Sequence, residues 1–104
     1  MSGVALLRGC RVLVVEDEAL ISLMLEDVLE SAGAVVAGPA ATVKTALDLL
    51  GEEAIDCAVL DVKLRDGTSV PVAEALAALG IRFVVTTGSD TIPVGYNGAA
   101  QRTM

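Results

Sequence analysis

The hydrophobic pattern of this chain alternates between short apolar runs and longer segments with a single apolar stripe. Four continuous runs, rich in valine, predict strands at residues 11–15, 34–38, 57–60 and 82–86. Three segments with apolar residues at helical spacing predict helices between them, at residues 19–33, 42–50 and 69–79. Continuous rather than alternating strands are typical of a parallel sheet that helices cover on both faces. The pattern therefore predicts an α/β fold.

Details of the helical segments support this order of elements. The first has six apolar residues on one predicted stripe: Leu20, Ile21, Met24, Leu25, Val28 and Leu29. In the third, Ser69 is a candidate N-cap and Pro71 falls in the first turn, where proline is tolerated. After residue 88 the pattern fades, and the sequence predicts a loop with no clear helix or fifth strand.

The composition limits the size and the environment of the protein. With 104 residues the chain forms one domain at most, and its 54% hydrophobic residues, with one Phe and one Tyr, imply an aliphatic core. No apolar run approaches the roughly 18 residues of a membrane span, and the first residues do not resemble a secretory signal. We therefore expect a soluble, cytoplasmic protein.

The two cysteines, Cys10 and Cys57, do not form a disulfide framework. If Asp17 and Asp61 are level in neighbouring strands, the two cysteines are offset by about three residues, or roughly 10 Å. A disulfide needs Cα atoms within about 7 Å. We therefore expect both thiols to be free.

Charge and the missing histidine exclude several classes of function. The net charge of −7 makes nucleic acid an unsuitable direct partner, because phosphate contacts need clustered Lys and Arg. The chain contains no histidine, which excludes a Ser-His-Asp triad, a Cys-His pair, a histidine-based zinc site and a phosphohistidine carrier. Carboxylates, hydroxyls, backbone groups or a bound ion must carry any chemistry.

Acidic residues stand where two of the predicted strands end. Glu16, Asp17 and Glu18 follow the first strand, and Asp61 ends the third. The carboxyl ends of parallel strands share one edge, which is where such sheets bind ligands. Converging carboxylates repel one another, and a magnesium ion with oxygen ligands would compensate. The backbone carbonyl of Lys63 is a candidate further ligand.

The fourth predicted strand ends in Thr86, Thr87 and Gly88, so hydroxyl groups and an approachable backbone join the same edge. A phosphoryl group held by magnesium would fit this set of groups. Taken alone, each feature has an ordinary structural explanation, such as a helix cap or a solvated turn. Their occurrence at successive strand ends favours a functional site.

The motifs VLVVEDE, AVLDVKLRDG and FVVTTG, in this order, resemble the receiver domain of bacterial response regulators over roughly residues 10 to 98. The resemblance implies a flavodoxin-like, doubly wound parallel sheet in three α/β/α layers, with the strand order 2-1-3-4-5 of the chemotaxis receiver. It implies that Asp61 is the phosphoacceptor, and that Glu16, Asp17, Asp61 itself and the Lys63 carbonyl hold Mg2+. Thr87 would be the switch hydroxyl.

The same resemblance implies the partners, namely a sensor histidine kinase or histidine phosphotransfer protein and a downstream protein target. The domain would act in a phosphorelay rather than as an enzyme, without direct contact to nucleic acid or membrane. A receiver-like interaction module that works without phosphorylation is the alternative. A small magnesium-dependent phosphohydrolase is a weaker one, because no second acid stands two positions after Asp61.

The C-terminal part departs from the receiver pattern. Receivers carry a lysine at the end of the fifth strand, and no lysine follows Lys63 here, although Arg102 supplies a cation. Tyr96 does not match the aromatic switch position. We therefore expect a fifth strand and last helix that are missing or incomplete, an open edge on the fourth strand, and possible self-association as a homodimer.

Overall fold

The computed structural model describes residues 7–86 and, as a short strand, residues 102–103. The predicted helices and strands between residues 11 and 86 are present, with ends shifted by up to two residues. A hairpin of two short strands adds to them. In chain order the elements are β1 Arg11–Val15, α1 Ala19–Ser31, β2 Val35–Ala40, α2 Val43–Glu52, β3 Cys57–Asp61, β4 Lys63–Leu64, β5 Gly67–Thr68, α3 Val70–Ala78, β6 Arg82–Thr86 and β7 Arg102–Thr103.

The main sheet is parallel and has the order β2-β1-β3-β6-β7. Successive strand residues point to opposite faces, and both faces are covered, which explains the continuous apolar runs. One cluster of buried residues, including Leu13, Leu60 and Phe83, packs with residues of α2 and α3. A second cluster of Val12, Ala34 and Val59 packs with Leu25 and Leu29 of α1. The predicted doubly wound α/β fold is confirmed.

The prediction of a loop after residue 88 is wrong at one point. Arg102 and Thr103 form β7, which pairs with Val84 and Val85 as a fifth parallel strand. Residues 87–101, which include Tyr96, and residue 104 lie outside the described residues. The expected open edge on the fourth strand is therefore partly covered, because β6 has neighbours on both sides at these two positions.

The predicted stripe of α1 is only partly buried. Leu25 and Leu29 pack against the core, and Ser22 on the same side is buried. Leu20, Met24 and Val28 are 61–70% exposed, and Ile21 is also exposed. The six apolar residues cover more of the helix circumference than the sheet beneath α1 can contact, so the sequence pattern could not show which part is buried.

A hairpin is a second feature, besides β7, that the sequence analysis missed. Directly after β3, β4 and β5 form an antiparallel hairpin in which Lys63 pairs with Thr68 and Leu64 with Gly67. The Asp66–Gly67 dipeptide was its available signal, since Asp-Gly favours tight hairpin turns. The hairpin replaces a predicted loop beside the end of β3.

Both cysteines are free thiols, as predicted, although the strand register differs from the assumed one. Val12 is level with Cys57, so the two cysteines are offset by two residues rather than three. Burial raises the pKa of the Cys57 thiol, and the neighbouring Cys10 raises it further. Among the described residues no helix is both long and apolar enough to cross a membrane.

Candidate functional site

Three acidic side chains converge at the carboxyl ends of β1 and β3. Val15 is paired with Leu60, so the residues that follow them, Glu16 and Asp61, are level at the edge of the sheet. Each of Glu16, Asp17 and Asp61 offers one carboxylate oxygen, and these oxygens lie within 4.8 Å of one another. The structure thus brings together the three carboxylates that the sequence predicted.

Glu16 is the buried member of this acid cluster, with 3% of its surface exposed. Its backbone amide continues the ladder between β1 and β2 by donating to the carbonyl of Ala40 at 2.9 Å. Burial raises the pKa of Glu16, whereas the backbone amide of Glu18, 3.1 Å from its Oε2, lowers it. The nearby Asp61 and Asp17 raise the pKa further. The cluster therefore favours binding of a positive charge or a proton.

Asp61 is half-buried at the end of β3, between the buried strand and the hairpin. The amide of Val62 donates to its Oδ1 at 2.9 Å and fixes the orientation of the carboxylate. Lys63, which begins β4, has an exposed side chain. Its backbone stands two residues after Asp61 in the chain, and its predicted role as a carbonyl ligand stays a prediction.

Of the two threonines at the end of the fourth predicted strand, the structure describes only Thr86. Thr86 is level with Asp61, and its hydroxyl donates to the carbonyl of Leu60 at 3.3 Å. This hydroxyl is thus used within the sheet. Thr87, the predicted switch hydroxyl, and Gly88 lie outside the described residues, and so does the side chain of Arg102.

The hairpin beside Asp61 is held by a residue that the sequence analysis did not assign. The carboxylate of Asp66 accepts hydrogen bonds from the amides of Val43 at 2.8 Å and Lys44 at 3.3 Å, at the start of α2. These bonds lower the pKa of Asp66. The segment that follows the predicted phosphoacceptor is therefore anchored to a neighbouring helix.

Comparison with known proteins agrees with this geometry. The model of the response regulator receiver domain family matches residues 12–100. This chain belongs to the response regulator receiver domain family. The match spans the strands from β1 to β6, apart from Arg11, together with the acid cluster and the hairpin, and it confirms the resemblance that the three sequence motifs suggested.

Solved structures of receivers share the fold. The chain is 42% identical to SdrG from Sphingomonas melonis Fr1, covering 99% of this chain and 86% of that one, with a TM-score of 0.77. The BeF3-activated conformation of SdrG from Pseudomonas melonis Fr1 is 43% identical over 96% of this chain and 83% of that one, with a TM-score of 0.71. No curated protein matches the chain.

A more distant neighbour shows the fold with ligands bound. TrrA from Thermotoga maritima, solved in complex with Mg2+ and BeF, is 22% identical over 90% of this chain and 84% of that one, with a TM-score of 0.75. At this identity the likeness supports the fold of this chain rather than a shared ligand.

Proposed function

We propose that this receiver accepts a phosphoryl group on Asp61 with the help of Mg2+, as part of a two-component phosphorelay. The convergence of the carboxylates of Glu16, Asp17 and Asp61 within 4.8 Å at the strand ends is the observation that carries this proposal. The activated conformation of the relative SdrG supports it, since that protein is 43% identical to this chain.

The donor set fits magnesium. Hard carboxylate oxygens suit Mg2+, which binds one or two carboxylates in proteins and keeps water molecules in its remaining positions. Glu16, Asp17 and Asp61 supply three carboxylates, and the Lys63 carbonyl is a further candidate ligand. When bound, Mg2+ would supply positive charge that offsets the negative charge of the transferred group.

Asp61 is the nucleophile in this proposal. Because the Val62 amide holds Oδ1, the other oxygen, Oδ2, is the candidate for in-line attack on phosphorus. An Asp61 oxygen–phosphorus bond forms as the bond between phosphorus and the donor's leaving group breaks, and the electron pair departs with the leaving group. Thr87 is proposed to bond the new phosphoryl oxygens and so bias a surface between two arrangements.

The phosphoryl donor is proposed to be a sensor histidine kinase or a histidine phosphotransfer protein. Such a donor must bring its phosphorylated side chain to the acid cluster. The first turn of α1 begins two residues after Asp17 and exposes Leu20 and Ile21, which give a protein donor an apolar contact next to the site. The chain then passes the signal to a downstream protein target, and acts as a phosphoacceptor rather than as an enzyme.

Acetyl phosphate, a small phosphoryl donor, tests this function without the cognate kinase. The intact mass of the wild-type protein after incubation with acetyl phosphate and Mg2+ is expected to show one added phosphoryl group. The Asp61→Asn variant is expected to show no added group. Asp27→Asn is the matched control, because Asp27 lies on α1 outside the cluster, and it should retain labelling. Equal labelling of wild type and Asp61→Asn would contradict the assignment.

A receiver-like interaction module that works without phosphorylation is the second candidate. It is favoured by one feature of the sequence, the lack of any lysine after Lys63. Such a module has no need to bind Mg2+ or beryllofluoride, whereas the proposed phosphoacceptor binds both. Titration of each ligand, followed by the change in amide chemical shifts near Asp61, separates the two candidates.

A further inference from the structure

The hairpin of β4 and β5 begins directly beside the candidate phosphoacceptor and is fixed to the domain at its base. The amide of Val62 donates to Oδ1 of Asp61 at 2.9 Å, and the amide of Ser69 donates to the carbonyl of Val62 at 2.9 Å. Within the hairpin, Leu64 is the one buried residue, and the other residues between 63 and 68 are exposed. These contacts hold the base of the hairpin but leave its turn without apolar cover.

The tip of the hairpin is attached to α2 chiefly through Asp66. Its Oδ1 accepts from the amide of Val43 at 2.8 Å, and its Oδ2 accepts from the amide of Lys44 at 3.3 Å. The amide of Arg65 donates to the carbonyl of Ala41, but at 3.4 Å this bond is long. Among the described residues, Asp66 therefore supplies most of the polar attachment of the tip, which we call docked when its two bonds are formed.

The hairpin has the features of a segment that opens locally. Two-stranded hairpins are marginally stable in water by themselves, and each strand of this one has only two residues. Segments with few buried side chains and exposed hydrogen bonds open at a small cost in free energy. The bonds of Asp66 therefore influence how much of the time the tip is docked. Lys63, whose carbonyl is the candidate magnesium ligand, lies in the same hairpin.

We propose that Asp66 is a positioning residue of the candidate magnesium site, and that Mg2+ binding and docking of the hairpin tip on α2 favour each other. This inference rests on the proposed binding of Mg2+ by the acid cluster and the Lys63 carbonyl. Docking restricts the positions open to the backbone of Lys63, which prepares its carbonyl for the ion. Coupling of this kind is reciprocal, so bound Mg2+ stabilises docking by the same factor. Occupancy of the strand-end site is thereby transmitted to the start of α2.

Calorimetric titration with Mg2+, at constant pH and ionic strength, tests the first half of the proposal. Asp66 is exposed, so water competes for its bonds, and the coupling belongs at the low end of the typical range of roughly 5–150-fold. Asp66→Ala is therefore expected to bind Mg2+ about fivefold more weakly than wild type. Loss of a purely structural cap would lower stability but leave the affinity of the folded protein unchanged.

Two further variants separate position from charge. Asp48→Ala removes an exposed acid that bonds the side chain of Lys44 rather than its amide, and it should bind Mg2+ like wild type. Asp66→Asn should be intermediate between wild type and Asp66→Ala. Asparagine suits the tight turn before Gly67, and its single side-chain oxygen still accepts a hydrogen bond.

Exchange of the Val43 and Lys44 amides with water, followed by NMR, tests the second half. Saturating Mg2+ should slow this exchange about fivefold in wild type, which is the factor by which Asp66→Ala loses affinity. In Asp66→Ala, Mg2+ should leave both rates unchanged. The amide of Thr45 is the internal reference, because it bonds the Thr42 hydroxyl and not the hairpin, and it should respond less.

The outcomes distinguish this inference from the proposed function. Equal affinity of wild type and Asp66→Ala for Mg2+ would overturn the inference and leave the magnesium site in place, whereas no binding by wild type would overturn both. Equal losses in Asp66→Ala and Asp48→Ala, or in Asp66→Ala and Asp66→Asn, would assign the effect to charge alone and overturn the positioning role. Equal slowing of amide exchange by Mg2+ in wild type and Asp66→Ala would overturn the reciprocal coupling.

Discussion

Asp66 connects the hairpin next to the candidate phosphoacceptor to a neighbouring helix. The first amides of a helix have no partner within it, and side chains commonly supply one. In α2, Asp66 accepts from the amides of Val43 and Lys44, and the Thr42 hydroxyl accepts from the amide of Thr45 at 3.1 Å. Two residues thus satisfy the first three amides of α2, and one of them comes from the hairpin.

Replacing Asp66 by alanine is expected to lower the melting temperature at pH 7. The lowered pKa of Asp66 means that its stabilising effect is present above its ordinary pKa of 3.8 and is lost as the pH falls through the folded-state value. Melting curves of wild type and Asp66→Ala should therefore differ at pH 7 and converge in strong acid.

Asp48→Ala is the control for this comparison. Asp48 bonds Lys44 in the same helix at 3.1 Å, but both side chains are largely exposed, so the pair contributes little. Its removal should change the melting temperature only slightly at either pH. A difference between wild type and Asp66→Ala that persists unchanged in strong acid would contradict the capping role.

At the scale of single elements, β2 contains an irregularity that depends on a glycine. Leu13 pairs with Ala37 and Val15 with Ala40, which leaves one extra residue on the β2 side. Gly38 has φ +100°, and a Cβ atom there would lie 2.9 Å from the carbonyl oxygen of Val14. Both the backbone conformation and the close approach to β1 therefore require glycine.

Gly38→Ala is expected to reduce the free energy of unfolding by about 2 kcal/mol, because alanine is strained at this φ and overlaps β1. Gly51→Ala is the matched control, since Gly51 lies in α2 with open space around its Cα position. It should raise stability by about 0.5–1 kcal/mol, as alanine favours helix. Denaturant unfolding checks both values, and equal effects of the two substitutions would contradict this account.

The elements differ in how far their sequence predicted them. The strands were predictable because residues such as Val12 and Leu13 are buried on opposite faces, which makes each strand a continuous apolar run. The buried side of α1 could not be predicted, because its apolar residues extend around the helix. The hairpin Lys63–Thr68 has strands of two residues, too short for any hydrophobic period.

The candidate site was predictable for a topological reason. Parallel strands end at one edge, so Asp61 and the acids after β1 could be placed together from their positions in the sequence alone. The register of β1 against β3 could not be predicted, because each strand is apolar on both faces and a shift by one residue leaves the hydrophobic pattern unchanged. Asp17 was assumed to be level with Asp61, but in the structure Glu16 is the residue that is level with Asp61.

At the scale of the whole molecule, binding of Mg2+ should stabilise the fold. A ligand that binds only the folded state raises stability by about 2.7 kcal/mol at a concentration 100 times its Kd. The melting temperature should therefore rise with Mg2+ in wild type and much less in Asp17→Asn. Asp27→Asn, which removes an acid of α1 outside the cluster, should respond like wild type, and an equal response of all three proteins would exclude the site.

The fifth strand also changes what is expected of self-association. The expected dimer depended on an unpaired edge of β6, and β7 covers that edge at Val84 and Val85. A homodimer across this edge would need to displace Arg102 and Thr103. Light scattering should therefore show a monomer over the concentration range of the binding experiments. A dimer that the substitution Val84→Lys disrupts would instead support the predicted homodimer across the edge of β6.

Borohydride trapping is the most direct test of the central claim, that Asp61 is the phosphoacceptor of a magnesium-binding acid cluster. Borohydride reduces an aspartyl phosphate to homoserine, which peptide mass mapping then locates in the chain. After incubation with acetyl phosphate, homoserine is predicted at position 61, with Mg2+ and not with EDTA. Homoserine at position 17 or 66, or none at any aspartate, would contradict the account.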